Sequence, residues 1–215
     1  MRTEELVDLL STGVHSVPPH AAHRRFATSI ALGTSGSLLL MYLVFRPRPD
    51  LAIAVLTALF WMKLAFPLSI ASGAMLTVNR LSRPGAKSNF STIRILVGGP
   101  VLLVWLWGIS VVAIAEPQDR SDLIYGASWR SCPLNILLLS LPTFIAVFLA
   151  VRSLAPTRLR VAGAFSGLLA TSLATVVYCL HCPEMSPAFW SMWYVLGMAL
   201  GAVVGALVGP TLLRW

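Results

Sequence analysis

The sequence predicts an all-α, polytopic membrane protein of six transmembrane helices with both termini on the same side. Three observations carry this. Of 215 residues, 57% are hydrophobic and 11% charged, with a mean hydropathy of +0.79, whereas a soluble domain carries about 25% charged residues. Apolar stretches of about twenty residues recur along the chain, each long enough to cross some 30 Å of hydrocarbon as a helix. Lys and Arg gather in alternate loops, eleven on the side of the termini against four on the other, Lys63 aside. By the positive-inside rule both termini are cytoplasmic. The formal charge of +8 does not signal nucleic acid, because the bases are spread through short loops and form no single face. The lipid bilayer is the expected surrounding, and no direct nucleic-acid contact is expected.

Residues 1–25 form a polar leader. Glu4, Glu5 and Asp8 stand where a cleavable signal peptide needs bases. They suit instead the positive end of a helix that starts at Thr3 as N-cap and stops near Gly13. Leu6, Leu9 and Leu10, with Val7 beside them, give that helix of about nine residues one apolar stripe and an acidic edge. So short a helix is marginal alone in water, so the stripe is expected to order against a partner. Pro18-Pro19 is a stiff spacer, and His15, His20 and His23 read as linker histidines.

Residues 26–215 form the membrane domain. The first span is Phe26 to Phe45, closed by the turn Arg46-Pro47-Arg48-Pro49-Asp50. Leu51 to Val78 is too long for one helix, at about 42 Å, without a tilt near 45°. A short interfacial helix over 51–59 followed by a span over 60–79 is therefore expected. Lys63 then snorkels outward, with its own carbonyl, left without a donor by Pro67, as an internal partner. The third span, Ile95 to Ala115, has an irregular inner end at Gly98-Gly99-Pro100. The fourth opens at Pro133 and runs to Val151, with a kink at Pro142. The fifth covers Val161 to Leu180 and the sixth Trp190 to Leu213. Gly197, Gly201, Gly205 and Gly209 on the sixth, and Gly163, Gly167, Thr171 and Thr175 on the fifth, form small-residue faces for close packing. These faces serve packing within the chain before they serve a homodimer.

Cys132 opens the fourth span and Cys182 follows the fifth, so both thiols sit at one membrane level on the outer side, where disulfides persist. Arg130 and the helix N-terminus beside Cys132, and His181 beside Cys182, are neighbours that favour a thiolate. Cys132, Cys182 and His181, with Glu184 or Cys179 near, also make a ligand set for a soft heavy-metal ion. No other cofactor is expected. Cys179, one turn inside an apolar helix, reads as a small hydrophobe. No catalytic motif and no intramembrane acid accompanies these residues, so an enzyme is not expected.

Several stretches resemble the NrsF family of six-span membrane proteins: the opening Met-Arg-Thr-Glu-Glu-Leu, Arg48-Pro49-Asp50-Leu51, Phe60 to Phe66, Arg83-Pro84-Gly85, Trp129-Arg130-Ser131-Cys132-Pro133, Leu154 to Arg158, His181-Cys182-Pro183-Glu184, Trp193-Tyr194, and Gly209-Pro210 to Trp215. The resemblance spans the chain, and the Trp-Arg-x-Cys-Pro and His-Cys-Pro-Glu stretches are its most specific parts. It implies an anti-sigma factor of the bacterial inner membrane. In that picture the cytoplasmic leader holds an extracytoplasmic-function sigma factor and lets it go on an outside redox or heavy-metal signal. The family's paired outer cysteines fall on Cys132 and Cys182. The assignment of Leu6, Leu9 and Leu10 to a sigma groove, with Glu4, Glu5 and Asp8 against a basic sigma surface, comes from the stripe and not from the resemblance. The rival expectation is a membrane thiol-disulfide oxidoreductase, which needs two exchanging cysteine pairs where this chain has three cysteines.

Overall fold

The computed structural model describes residues 2–12, 21–81, 90–154 and 156–214. Gly13, His15, Pro18-Pro19, His20, the Arg83-Pro84-Gly85 loop with Lys87, and Ala155 lie outside the described residues, as do the side chains of Leu10, His23 and Arg94. The helices are α1 (Thr3–Ser11), α2 (Ala21–Leu40), α3 (Leu51–Ala54), α4 (Ala58–Leu81), α5 (Phe90–Ile93), α6 (Gly99–Ile114), α7 (Arg120–Tyr125), α8 (Cys132–Arg152), α9 (Leu159–Tyr178), α10 (Pro187–Phe189) and α11 (Val195–Leu212). Among the described residues, six helical stretches are long and apolar enough to cross a membrane: Arg24–Phe45, Ala58–Leu81, Ile95–Ile114, Cys132–Arg152, Leu159–Tyr178 and Pro187–Leu212.

The helix α1 has the expected length, but its N-cap is Arg2 and not Thr3. The Arg2 backbone N–H donates to Glu5 Oε2 at 3.1 Å. Glu5, three residues into the helix, is long enough to reach back to that orphan donor, which a residue at position 3 cannot serve. The long stretch 51–78 does break in two, with α3 ending before a turn and α4 beginning at Ala58. Three π-helical turns, Met41–Phe45, Arg94–Gly98 and Trp190–Tyr194, interrupt the spans. The second lies just before Pro100, whose missing N–H cannot complete an α-helical bond, so the backbone shifts register there.

The spans alternate in direction. One end of the bundle gathers the turn 46–57, the connection 115–131 and the turn 179–186, where the Arg48 N–H donates to the Leu180 carbonyl at 3.0 Å. We call it the thiol end. The helix α9 lies at the centre as the most buried of the six spans, packed on α11, α8 and α4. Against α11 the contact is backbone on backbone: a Cβ on Gly167 would lie 2.1 Å from the Gly201 carbonyl oxygen, and one on Gly163 would lie 2.2 Å from that of Gly205. The two glycine faces are thus used up inside the chain. On the far side, Ser37 of α2 fixes α8 through the Leu139 carbonyl at 2.7 Å and the Thr143 hydroxyl at 2.9 Å. The helix α6 is the outlier, in the least buried of the six spans. It is tied to the sixth span by Trp105 Nε1 donating to the Ser191 carbonyl at 2.7 Å.

Candidate functional site

Three thiols meet at the thiol end. Cys132, Cys179 and Cys182 are all free and all fully buried, in one apolar cluster with Ile136, Tyr178 and Tyr194. The helix geometry explains this. Cys132 is the first residue of α8, while α9 ends at Tyr178, earlier than hydropathy predicts, so Cys179 to Cys182 form a closing turn that folds back over the bundle. That turn is tight, with the N–H groups of His181 and Cys182 both donating to the Tyr178 carbonyl, at 3.0 and 2.9 Å. Cys132 and Cys182 lie within electrostatic reach of each other, and Tyr178 sits beside Cys132. Ser128 touches both: its carbonyl accepts the Cys132 N–H at 3.0 Å, and its hydroxyl lies 4.0 Å from Cys182 Sγ.

The predicted activating neighbours are employed elsewhere. Arg130 is exposed and lays its guanidinium over the Trp129 ring, 5.1 Å from the centroid, because an indole face next in sequence holds a cation at the surface better than a buried thiol can. His181 turns its ring toward Phe45 and sets Nδ1 2.8 Å from the Arg46 carbonyl. A carbonyl only accepts, so that nitrogen carries the hydrogen. Glu184 accepts the Ala127 N–H at 2.8 Å and the Ser128 hydroxyl at 3.5 Å. Its carboxylate packs under Gly126, where φ is +53° and a Cβ would meet the carboxyl at 2.5 Å, so the tight strap requires glycine. Among the described residues no three His, Cys, Asp or Glu side chains are grouped to hold a metal ion. The proposed set of Cys132, Cys182 and His181 with Glu184 or Cys179 is therefore not assembled, because the imidazole and the carboxylate are each turned onto backbone groups.

Lys63 corrects the sequence reading most. It does not snorkel: it is fully buried, and its Nζ donates to the Cys182 carbonyl at 2.6 Å, with the Tyr194 ring 5.9 Å away. The turn that follows α9 brings the Cys182 carbonyl to this level of α4, so the ammonium bonds inside the bundle instead of reaching for water. Its own carbonyl, which Pro67 leaves without a helical donor, accepts a weak bond from the Cys179 thiol at 3.8 Å. Cys179 is thus a donor to α4 and more than a small hydrophobe.

Arg48 was missed entirely. It reads as a turn residue between two prolines, yet it is 8% exposed. It binds Asp50 through both Nε (2.6 Å) and Nη2 (2.5 Å), and sends Nη1 to the Cys182 carbonyl (3.5 Å) and to Met185 Sδ (3.4 Å). Asp50 two residues downstream was the available signal, since a bidentate carboxylate fixes a guanidinium plane. This pairing holds the Asp50 carboxyl below its usual range and raises Arg48, the Arg48 hydrogen bond being the leading cause. The Cys182 carbonyl is therefore the meeting point of two buried cationic side chains.

A family model described as "NrsF: Negative regulator of sigma F" matches residues 10–215 of this chain. The chain belongs to the NrsF family. Two relatives align over their full lengths and over all of this chain. One, named probable anti-sigma-F factor NrsF, is from Azospira oryzae and 45% identical; the other, named anti-sigma-F factor NrsF, is from Caulobacter vibrioides and 36% identical. No solved structure matches the chain. In NrsF terms, the Trp129-to-Pro133 and His181-to-Glu184 stretches that carry the resemblance are the two strands of sequence that build the buried thiol cluster.

Proposed function

We propose that this chain is an anti-sigma factor of the bacterial inner membrane, holding an extracytoplasmic-function sigma factor by its cytoplasmic leader and releasing it when Cys132 and Cys182 react on the periplasmic side. The observation that carries the reading is membership of the NrsF family across nearly the whole chain. The exposed helix α1 supports the docking half. Leu6, Val7 and Leu9 are 42%, 58% and 64% exposed, opposite Glu4, Glu5 and Asp8. An amphipathic helix with an uncovered stripe is the form in which such segments enter an apolar groove, and the acidic edge suits the basic surface a sigma domain offers to DNA.

The thiol pair supports the sensing half. In oxidation each thiol gives up a proton and the pair gives two electrons to an outside oxidant as the S–S bond forms. A thiophilic metal ion instead displaces the two protons. Either change pulls the turn 179–182 toward the start of α8 and shifts the population toward a releasing state. Nothing in this cycle asks for catalysis.

Two experiments test the halves separately. In a two-hybrid or pull-down assay, Leu6→Asp with Leu10→Asp is expected to abolish sigma binding; retention of binding removes the docking claim. In cells, Cys132→Ser with Cys182→Ser is expected to silence a sigma-dependent reporter under oxidant or heavy-metal stress. Normal induction in that strain removes the sensing claim.

A further inference from the structure

Sensing at one membrane face and sigma release at the other need a mechanical link, and the thiol cluster touches a rigid element that runs the right way. That element is α4. At the thiol end it meets the cysteine turn twice through one residue, since the Lys63 ammonium donates to the Cys182 carbonyl at 2.6 Å and the Lys63 carbonyl accepts from Cys179. About 12 to 22 Å further along the helix, Ala71, Ala74 and Val78 share an apolar cluster with Phe26, which is 1% exposed and follows the leader directly.

A buried ammonium is costly inside a bilayer, and in soluble folds such a group is kept only when paired. Among the described residues Lys63 bonds to a carbonyl and faces an aromatic ring, and no carboxylate bonds to it; the nearby Asp50 is taken by Arg48. The Cys182 carbonyl is therefore what keeps that charge in place. Cys132 and Cys182 are free thiols, so closing a disulfide between them must bring the two sulfurs to about 2.0 Å with a set dihedral, a demand that falls on the Cys182 peptide. A repositioned carbonyl leaves Lys63 without its acceptor, and the ammonium must follow it or find another. A packed helix answers such a demand by moving as a unit, because packed interfaces switch between discrete arrangements and do not stretch.

We infer that Lys63 is the positioning residue that couples the thiol turn to α4, and through α4 to Phe26 and the leader. The inference rests on the thiol-sensing reading above and names how its signal crosses the membrane. Lys63 does not itself react.

The test uses the full-length protein in cells, with diamide as the thiol oxidant. Loss of free thiol is read by maleimide-polyethylene glycol gel shift and sigma release by a reporter. Lys63→Met keeps the stem and removes the charge. It is expected to leave thiol oxidation intact while induction falls about tenfold, and Lys63→Arg is expected to restore at least half of it. A structural defect alone moves protein level in all variants alike, and Arg does not rescue it selectively. Pro67→Ala leaves Lys63 in place but gives its carbonyl a backbone donor that competes with Cys179. It is expected to weaken induction about threefold, and it decides the matter if Lys63→Met does not accumulate. Wild-type induction in Lys63→Met, or in Pro67→Ala should Lys63→Met fail to accumulate, overturns the inference. The Cys132→Ser, Cys182→Ser strain run alongside separates the two failures. If it still induces, the sensing reading falls; if it is silent while Lys63→Met induces normally, only the coupling falls.

Discussion

Two of the seams of α9, toward α11 and toward α4, differ in kind. Toward α11 it meets backbone with backbone, glycine against glycine, with the Thr171 hydroxyl donating to the Met198 carbonyl at 3.2 Å. Toward α4, at the thiol end, it meets a buried ammonium, a thiol donor and a carbonyl claimed by two cations. The first seam is held by close backbone approach; the second turns on a charge and a thiol that can be re-bonded. A bundle that must transmit a signal needs both kinds of contact, one to hold the central helix and one to move against it.

Breaking the static seam should have the largest effect. Gly167→Leu places a side chain where the Gly201 carbonyl oxygen lies 2.1 Å from an ideal Cβ, and an intruding group against backbone has nowhere to go. We expect a loss of about 3 kcal/mol or more, seen as little protein in membranes and a collapsed thermal midpoint in detergent. Wild-type stability of this variant denies the seam.

The strap over the thiols comes next. Glu184→Ala removes the acceptor of Ala127 N–H and the Ser128 hydroxyl. Losing bonds to a charged group costs about 1.5 kcal/mol or more, so maleimide labelling of Cys182 should quicken roughly tenfold. Unchanged labelling shows that the strap does not guard the cluster.

A smaller change is expected at Cys179. Cys179→Ala removes the donor to Lys63, whereas Cys179→Ser offers a hydroxyl in its place. The alanine variant should be the less stable by about 1 kcal/mol, measured by thermal unfolding. The reverse order returns Cys179 to the status of a small hydrophobe.

The smallest effect concerns pH. Asp50 has a lowered carboxyl value in the folded chain because Arg48 bonds it. Its contribution is thus present above the ordinary carboxylate range and is lost as pH falls through the lowered value. Asp50→Asn should lower the thermal midpoint slightly near neutrality and converge with the wild type in strong acid. A difference that persists in acid assigns the effect to something other than this ion pair.

The family stretches marked the segments that carry the thiols, and the glycine spacing marked the α9–α11 packing, because each is a local pattern of residue identity. Lys63 and Arg48 were not legible in the same way. A lysine near a helix end and an arginine in a Pro-rich turn look alike whether they face water or a buried carbonyl. The Pro67 spacing did mark the Lys63 carbonyl as vacant, and a thiol took it. Arg130 and His181 were misread because adjacency in sequence says nothing of direction, and each had a nearer partner.

The number of spans, their lengths and the broken second run follow from hydrophobicity and proline placement, which act locally. The tertiary structure alone decided that the cysteine turn closes over α4, that its carbonyl collects two cations, and that the thiols lie buried. These contacts join residues more than a hundred positions apart, such as Lys63 and Cys182, and the partner of a buried charge is set by which helices pack together.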